Sequence, residues 1–252
     1  MADNDHTEGA VGGLTIRLPQ VLPVFPLNGV LLLPGGSLPL HVFEPRYRAL
    51  VDHALGHGRV FGMIQPSELD KLNQHGTPLA GDSGKTAGKG ESALYGVGCL
   101  GRITAFQEAD DGRFMISLTG VCRFNVVEEM DCTTPYRQLR VEYSPFVAHD
   151  LHSAAASAPE GEMEQRREKL LPLVKGFLEW NGRGDSFGEA EKTDTGELVN
   201  ALSMISPFSP GEKQALLEAR DDMARCDLLI SLLEMAAAST GGGDGDKDTT
   251  VQ

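Results

Sequence analysis

No stretch of this chain strings together the ~18–20 apolar residues that span a bilayer, so no membrane-spanning helix is expected within it. Basic residues are scarce as well: 22 Lys and Arg stand against 36 Asp and Glu, a net charge of −14. With no basic run to offset it, that balance repels phosphate backbones and disfavours extended nucleic-acid binding, although a local basic patch stays open. The four cysteines, Cys99, Cys122, Cys132 and Cys226, are irregularly spaced and form no C-x-x-C. They read as reduced thiols in a cytoplasmic setting, with a Cys122–Cys132 disulfide as the alternative. The opening MADNDHTEGAVGG has neither the basic end and apolar stretch of a secretory signal nor the arginines of a transit peptide. Residues 1–13 are therefore expected to be a disordered arm, and residues 240–252 a disordered acidic tail.

What is present is enough for one large domain, or a domain with a smaller appendage: 252 residues, 40% of them hydrophobic. Residues 22–55, LPVFPLNGVLLLPGGSLPLHVFEPRYRALVDHAL, compress several elements into one block. The pattern predicts two short strands, a turn at Pro34-Gly35-Gly36, and a third strand in which Leu38, Leu40 and Val42 alternate. The period then becomes helical. Tyr47, Leu50, Val51, Ala54 and Leu55 share one face, Pro45 suits the first helical position, and Gly56 and Gly58 suit the end.

Strand character continues over Arg59–Ile64 and Leu94–Phe106, separated by a polar, glycine-dotted excursion at 66–92. Glycines 96, 98 and 101 suit the bends of a sheet curling into a barrel. A hairpin turn is predicted at Ala109-Asp110-Asp111-Gly112. Phe114, Ile116 and Leu118 alternate after it, and beyond Gly120 so do Cys122, Phe124 and Val126, leaving Arg123 and Asn125 on the polar side. Residues Tyr136–Tyr143 are expected to close a small pseudo-barrel.

From about Pro159 the pattern turns helical. Met163, Arg167, Leu170, Leu171, Val174, Phe177 and Leu178 define an amphipathic helix that Pro172 is expected to kink. Residues 182–194 read as a charged linker, and Leu198, Leu202 and Ile205 as the next helix. Ser209-Pro210-Gly211-Glu212 is a capping box, and Asp221 or Asp222 caps a last helix whose face is Cys226, Leu229, Ile230 and Leu233. The fold class expected is α+β: a barrel over 14–147 with one early helix, then a helical subdomain over 148–239.

Residues that could carry chemistry have ordinary structural readings. AGDSGKT at 80–86 imitates a phosphate-binding loop, but position 79 is Leu where that motif needs Gly, and no strand–helix context surrounds it. Gly81-Asp82-Ser83-Gly84 imitates a protease nucleophile segment without a matching histidine segment. His53 with His57, and His149 with Asp150 and His152, lack a clear third metal ligand. His41 reads as a hydrogen-bonded barrel residue. Glu44, Arg46 and Tyr47 could form a polar recognition spot, but a carboxylate at a helix start already has a sufficient cause in the helix dipole. No catalytic, cofactor-binding or metal-binding residue is assigned, and binding residues stay unassigned.

The run FPLNGVLLLPGGSLPLHVFEPRYRALV resembles the opening of the amino-terminal, substrate-binding domain of the Lon protease family. GVGCLGRITAFQEADDGRFMISLTGVCRFNVVEE is similar to that domain's second signature, through Gly101-Arg102-Ile103 and Gly120-x-x-Arg123-Phe124. GEKQALLEARDDMARCDLLISLLE is similar to its helical portion, so the likeness covers most of residues 20–237. The resemblance implies a PUA-like barrel with a helical appendage that binds protein and cuts nothing. It implies a stand-alone domain without the family's ATPase and Ser-Lys protease parts. Expected partners are unfolded or extended protein segments. The alternatives are an adaptor docking on a separate ATP-dependent protease or chaperone, RNA binding through the barrel, and a cryptic hydrolase.

Overall fold

The structure, a computed structural model, describes residues 6–11, 14–67, 92–151 and 161–241. The chain divides into two compact units, Met1–Ala156 with Ser206–Glu218, and Ser157–Ile205 with Ala219–Gln252.

In the first unit the strands are β1 (His6–Val11), β2 (Leu14–Pro19), β3 (Val21–Pro26), β4 (Ser37–Val42), β5 (Val60–Ile64), β6 (Val97–Glu108), β7 (Phe114–Glu129) and β8 (Gln138–Glu142). β1 and β2 form an antiparallel pair, so part of the arm expected to be disordered is a strand. The other six run in the order β4-β7-β6-β5-β3-β8, and a further β7–β8 pairing closes five of them into a ring. Helix α1 (Pro45–Gly56) is the early helix; with β4 it makes the crossover between parallel β3 and β5.

Of the two short strands expected before the Pro34-Gly35-Gly36 turn only β3 forms; Leu31–Leu33 lie outside any strand, although all three are buried. Their backbone crosses the barrel wall at Gly120: a β-carbon built there would lie 2.0 Å from the Leu33 carbonyl oxygen. The turn follows as expected, the Gly36 amide donating to Leu33 O and the Gly35 amide to Gly120 O. The barrel bends where β6 and β7 slip register between Leu100 and Gly101. Val121 is the extra residue there, because Leu100 pairs with Cys122 and Gly101 with Gly120. Leu22, Val24, Leu100, Phe124, Leu139 and Val141 are at the core of this unit.

Helices α2 (Ser144–Asp150) and α6 (Pro210–Glu218) belong with the barrel. The sequence groups α6 with the helical part, yet its polar side chains reach barrel backbone: Gln214 Nε2 donates to Val97 O at 3.1 Å and Lys213 Nζ to Gly29 O at 2.9 Å. The predicted capping box opens it, the Ser209 amide donating to Glu212 Oε2 at 2.7 Å and the Glu212 amide to Ser209 Oγ at 3.3 Å.

The second unit contains α3 (Glu162–Trp180), which runs through Pro172, a 3-10 turn (Gly184–Ser186), short α4 (Phe187–Ala190), α5 (Thr195–Ile205) and α7 (Asp222–Gly241). The stretch expected as a linker thus holds two short helical turns. Leu170, Val174 and Leu178 of α3, Leu198 and Leu202 of α5, and Cys226, Leu229, Ile230 and Leu233 of α7 are buried, while Ile205 is exposed. Asp221 is the cap of α7, accepting the Ala224 amide at 2.8 Å. Among the described residues no helix is long and apolar enough to cross a membrane.

Candidate protein-binding surface

The FEPRY segment joins β4 to α1, and its parts separate by burial. Tyr47 is buried and stacks on Phe25 with ring centroids 3.9 Å apart. Glu44 and Arg46 pair with each other at 3.0 Å on the surface, and the Arg46 guanidinium lies 4.5 Å from the Tyr47 ring centre. The Glu44 carboxylate makes no capping bond; its backbone carbonyl accepts the Tyr47 and Arg48 amides. An exposed pair of this kind contributes ~0–1 kcal/mol, so the helix start is held mainly by Tyr47 packing.

The sequence pattern does not single out Phe43, which is 65% exposed. A signal for it exists: if Leu38, Leu40 and Val42 point inward, parity sends Phe43 outward with Pro39 and His41. His41 is indeed exposed, opposite the partly exposed Met115 of β7. Phe43 follows two residues after His41, so it shares this outer face with Met115.

Among the described residues β4 pairs with β7 alone, which leaves one edge of β4 unpaired. The ladder fixes which groups are free there. The Gly120 amide donates to Gly36 O, so Gly36, Leu38, Leu40 and Val42 turn their backbone toward β7. Ser37, Pro39 and His41 turn theirs outward. Proline is tolerated at such a position because its missing N–H faces solvent, and it also blunts the edge against indiscriminate pairing.

At the far end of β4 the β6–β7 hairpin turns at Ala109–Gly112 as predicted, the Gly112 amide donating to Ala109 O. Phe114 is buried with Phe106 edge-on at 5.1 Å, and the Arg48 guanidinium of α1 lies 5.1 Å from the Phe114 ring centre.

Arg123 corrects the sequence expectation: it is 0% exposed, not on the polar side of its strand. The Val121 bulge breaks the alternation and α2 covers the opposite face, so residues 120–124 are all buried. Asp150 of α2 receives the Arg123 amide at 2.8 Å and its Nη2 at 2.8 Å, while Nη1 donates to Leu217 O of α6 at 3.1 Å. One arginine thereby ties α2 and α6 to β7, with the Phe146 ring 4.7 Å from its guanidinium. Burial alone would raise the Asp150 pKa; hydrogen bonds from His149 and Arg123, and the Arg123 charge, outweigh it and hold the carboxyl below its usual range.

The other candidates fall at separate places or outside the described residues. The His53 and His57 rings stack at 4.1 Å near the end of α1, and His53 has its pKa lowered by burial and by His57. His149 lies 3.1 Å from Asp150; His152, the motif at 80–86 and Gly81–Gly84 fall outside the described residues. Among the described residues no group of three or more His, Cys, Asp or Glu could hold a metal ion. All four cysteines are free thiols, Cys132 exposed and the other three buried.

A closed barrel with an added edge strand, followed by a helical unit, defines an α+β fold. Residues 21–235 match the model of the ATP-dependent protease La (LON) substrate-binding domain, and the chain belongs to that family. Lon protease 2 of Myxococcus xanthus is 27% identical over 219 residues, which are 86% of this chain and 24% of that protein. The Lon protease of Anaeromyxobacter dehalogenans is 25% identical over 218 residues, again 86% of this chain and 23% of that protein. The chain therefore spans about a quarter of the length of these relatives. Among solved structures, the N-terminal domain of the Mycobacterium avium complex Lon protease superposes with a TM-score of 0.58 at 16% identity, covering 85% of this chain and 98% of that one. The Lon N-terminal domain protein of Xanthomonas campestris gives 0.52 at 24% identity, covering 84% and 97%. At these identities the likeness is one of fold.

Proposed function

We propose that this chain is a non-catalytic module that captures exposed apolar or extended segments of client proteins. The observation that carries the reading is the unpaired edge of β4 lying beside exposed Phe43 and Met115, in a chain of the Lon substrate-binding family. An extended segment laid along β4 meets outward backbone groups of Ser37, Pro39 and His41, and its alternate side chains meet Phe43 and Met115 on the outer face. The gap at Pro39 keeps the backbone contribution small, so selectivity falls to apolar side chains. Clients are held without being cut, and delivery to a separate ATP-dependent protease or chaperone is compatible with this chemistry.

The test is fluorescence anisotropy of a labelled, permanently unfolded protein with the full chain, using RNA as competitor. Saturable binding that survives RNA and moderate salt is expected. Binding displaced by RNA and lost with modest salt points to nucleic acid instead. Absence of binding to the unfolded protein overturns the reading, and co-purification of a protease or chaperone would then favour an adaptor role.

A further inference from the structure

Among the described residues Arg48 lacks the carboxylate partner that the buried Arg123 and half-buried Arg137 of the barrel unit have. Arg123 and Arg137 each face a carboxylate, Asp150 and Glu129. The Arg48 side chain makes no hydrogen bond or ion pair with any described residue, and its Nε is buried without an acceptor. Acids are not in short supply in a chain with 36 of them. Two that lie close by are engaged elsewhere: Glu44 with Arg46 at 3.0 Å and Asp111 with Arg113 at 2.7 Å. The guanidinium instead lies against Phe114, whose other neighbour is Phe106, 39% exposed. Gly112 borders the same space, and a β-carbon there would stand 3.6 Å from both Nη atoms.

A cation already half-withdrawn from water onto an aromatic ring gains more from an added anion than a solvated one does. With Nε buried, Nη1 and Nη2 are the donors left, a geometry that suits a carboxylate approaching end-on. The exposed Phe106 ring beside it asks for an apolar group on the same ligand. In an extended segment, the residues next to an internal Asp or Glu point to the opposite face. The last residue of a chain carries its carboxylate and its side chain on one α-carbon.

We propose that the Arg48–Phe114–Phe106 corner takes the apolar C-terminal residue of a client chain, Arg48 donating to the terminal carboxylate while the side chain lies on Phe106. This rests on the protein-capture reading and adds to it a preference for free chain ends.

The experiment uses an amino-terminally labelled ten-residue peptide ending in phenylalanine, made as the free acid and as the carboxamide, each titrated into the full chain by anisotropy. The free acid should bind about tenfold more tightly, the scale of one charge-assisted contact at a partly exposed site. Arg48→Gln should abolish the difference by weakening the acid alone. Phe106→Ser should weaken both peptides. A third peptide, amidated but with an internal glutamate, should match the plain carboxamide. Equal binding of acid and carboxamide to the unaltered protein overturns the proposal without relying on any variant, as does an amidated glutamate peptide that equals the free acid. If the permanently unfolded protein binds and the acid preference is missing, this inference alone fails. If neither peptide nor unfolded protein binds, the capture reading fails with it.

Discussion

Replacing Asp150 with asparagine isolates the buried ion pair that ties α2 and α6 to the barrel. The pair is almost fully shielded, Arg123 at 0% and Asp150 at 1% side-chain exposure. The introduced amide could still accept from one or two Arg123 donors, but the arginine charge would remain buried without a counter-ion. Breaking a buried pair in this way costs about 3–5 kcal/mol. At about 2–4 °C per kcal/mol for a chain of this size, the melting temperature of the barrel unit should fall by roughly 6–20 °C. Calorimetry at neutral pH measures it directly. The sign with pH follows from the depressed pKa of Asp150. Its stabilisation is present above the unfolded carboxyl value near ~3.9 and disappears as pH falls through the folded value, so Asp150→Asn and the unaltered protein should converge in acid. Replacing both partners, Arg123→Met with Asp150→Leu, should recover most of the loss, because the unpaired charge is the damage. A melting temperature lowered by less than about 2 °C in the single variant, or a double variant worse than the single one, would refute the reasoning.

Gly120→Ala should be among the most damaging small substitutions: its β-carbon would meet Leu33 O at 2.0 Å, backbone against backbone, and a loss of about 3 kcal/mol or more in denaturant titration is expected. Ser209→Ala removes the hydroxyl that accepts the Glu212 amide and should cost about 0.5–2 kcal/mol by the same titration. Native protein should titrate one reactive thiol with a chromogenic disulfide, Cys132, and all four only after unfolding; burial pushes the Cys226 thiol up to about 11, and that of Cys122 higher still. Phe43→Ser should leave stability within about 0.5 kcal/mol, since the side chain faces solvent, yet weaken capture of the unfolded protein in the anisotropy assay.

Much of this fold is legible where local chemistry and tertiary packing agree. Phe114, Ile116 and Leu118 alternate in sequence and are buried in the structure. Ser209 and Glu212 meet in the capping box their spacing announces. The legible pattern fails where backbone packs on backbone. Leu31–Leu33 look like a strand, but their burial is set by the crossing at Gly120, which no residue pattern in that run encodes. Arg123 looks exposed by alternation because a bulge at Val121 shifts the phase, and its partner Asp150 lies 27 residues away. The helix α6 looks like part of the helical unit because its capping signals are local, whereas the Lys213–Gly29 contact spans 184 residues. The candidate surface is the reverse case. Its strand, helix start and hairpin are all readable, but the unpaired β4 edge follows from sheet order, and the lack of a partner for Arg48 Nε only from three dimensions.

The central claim is that client segments engage the free edge of β4. Hydrogen exchange of the full chain, with and without saturating unfolded protein, tests it most directly. The account predicts slowed exchange over residues 37–43, where the Ser37 and His41 amides face outward, with little change in the barrel core around Leu100 and Phe124. Binding confirmed by anisotropy with exchange at β4 unchanged, and protection appearing elsewhere, would contradict it.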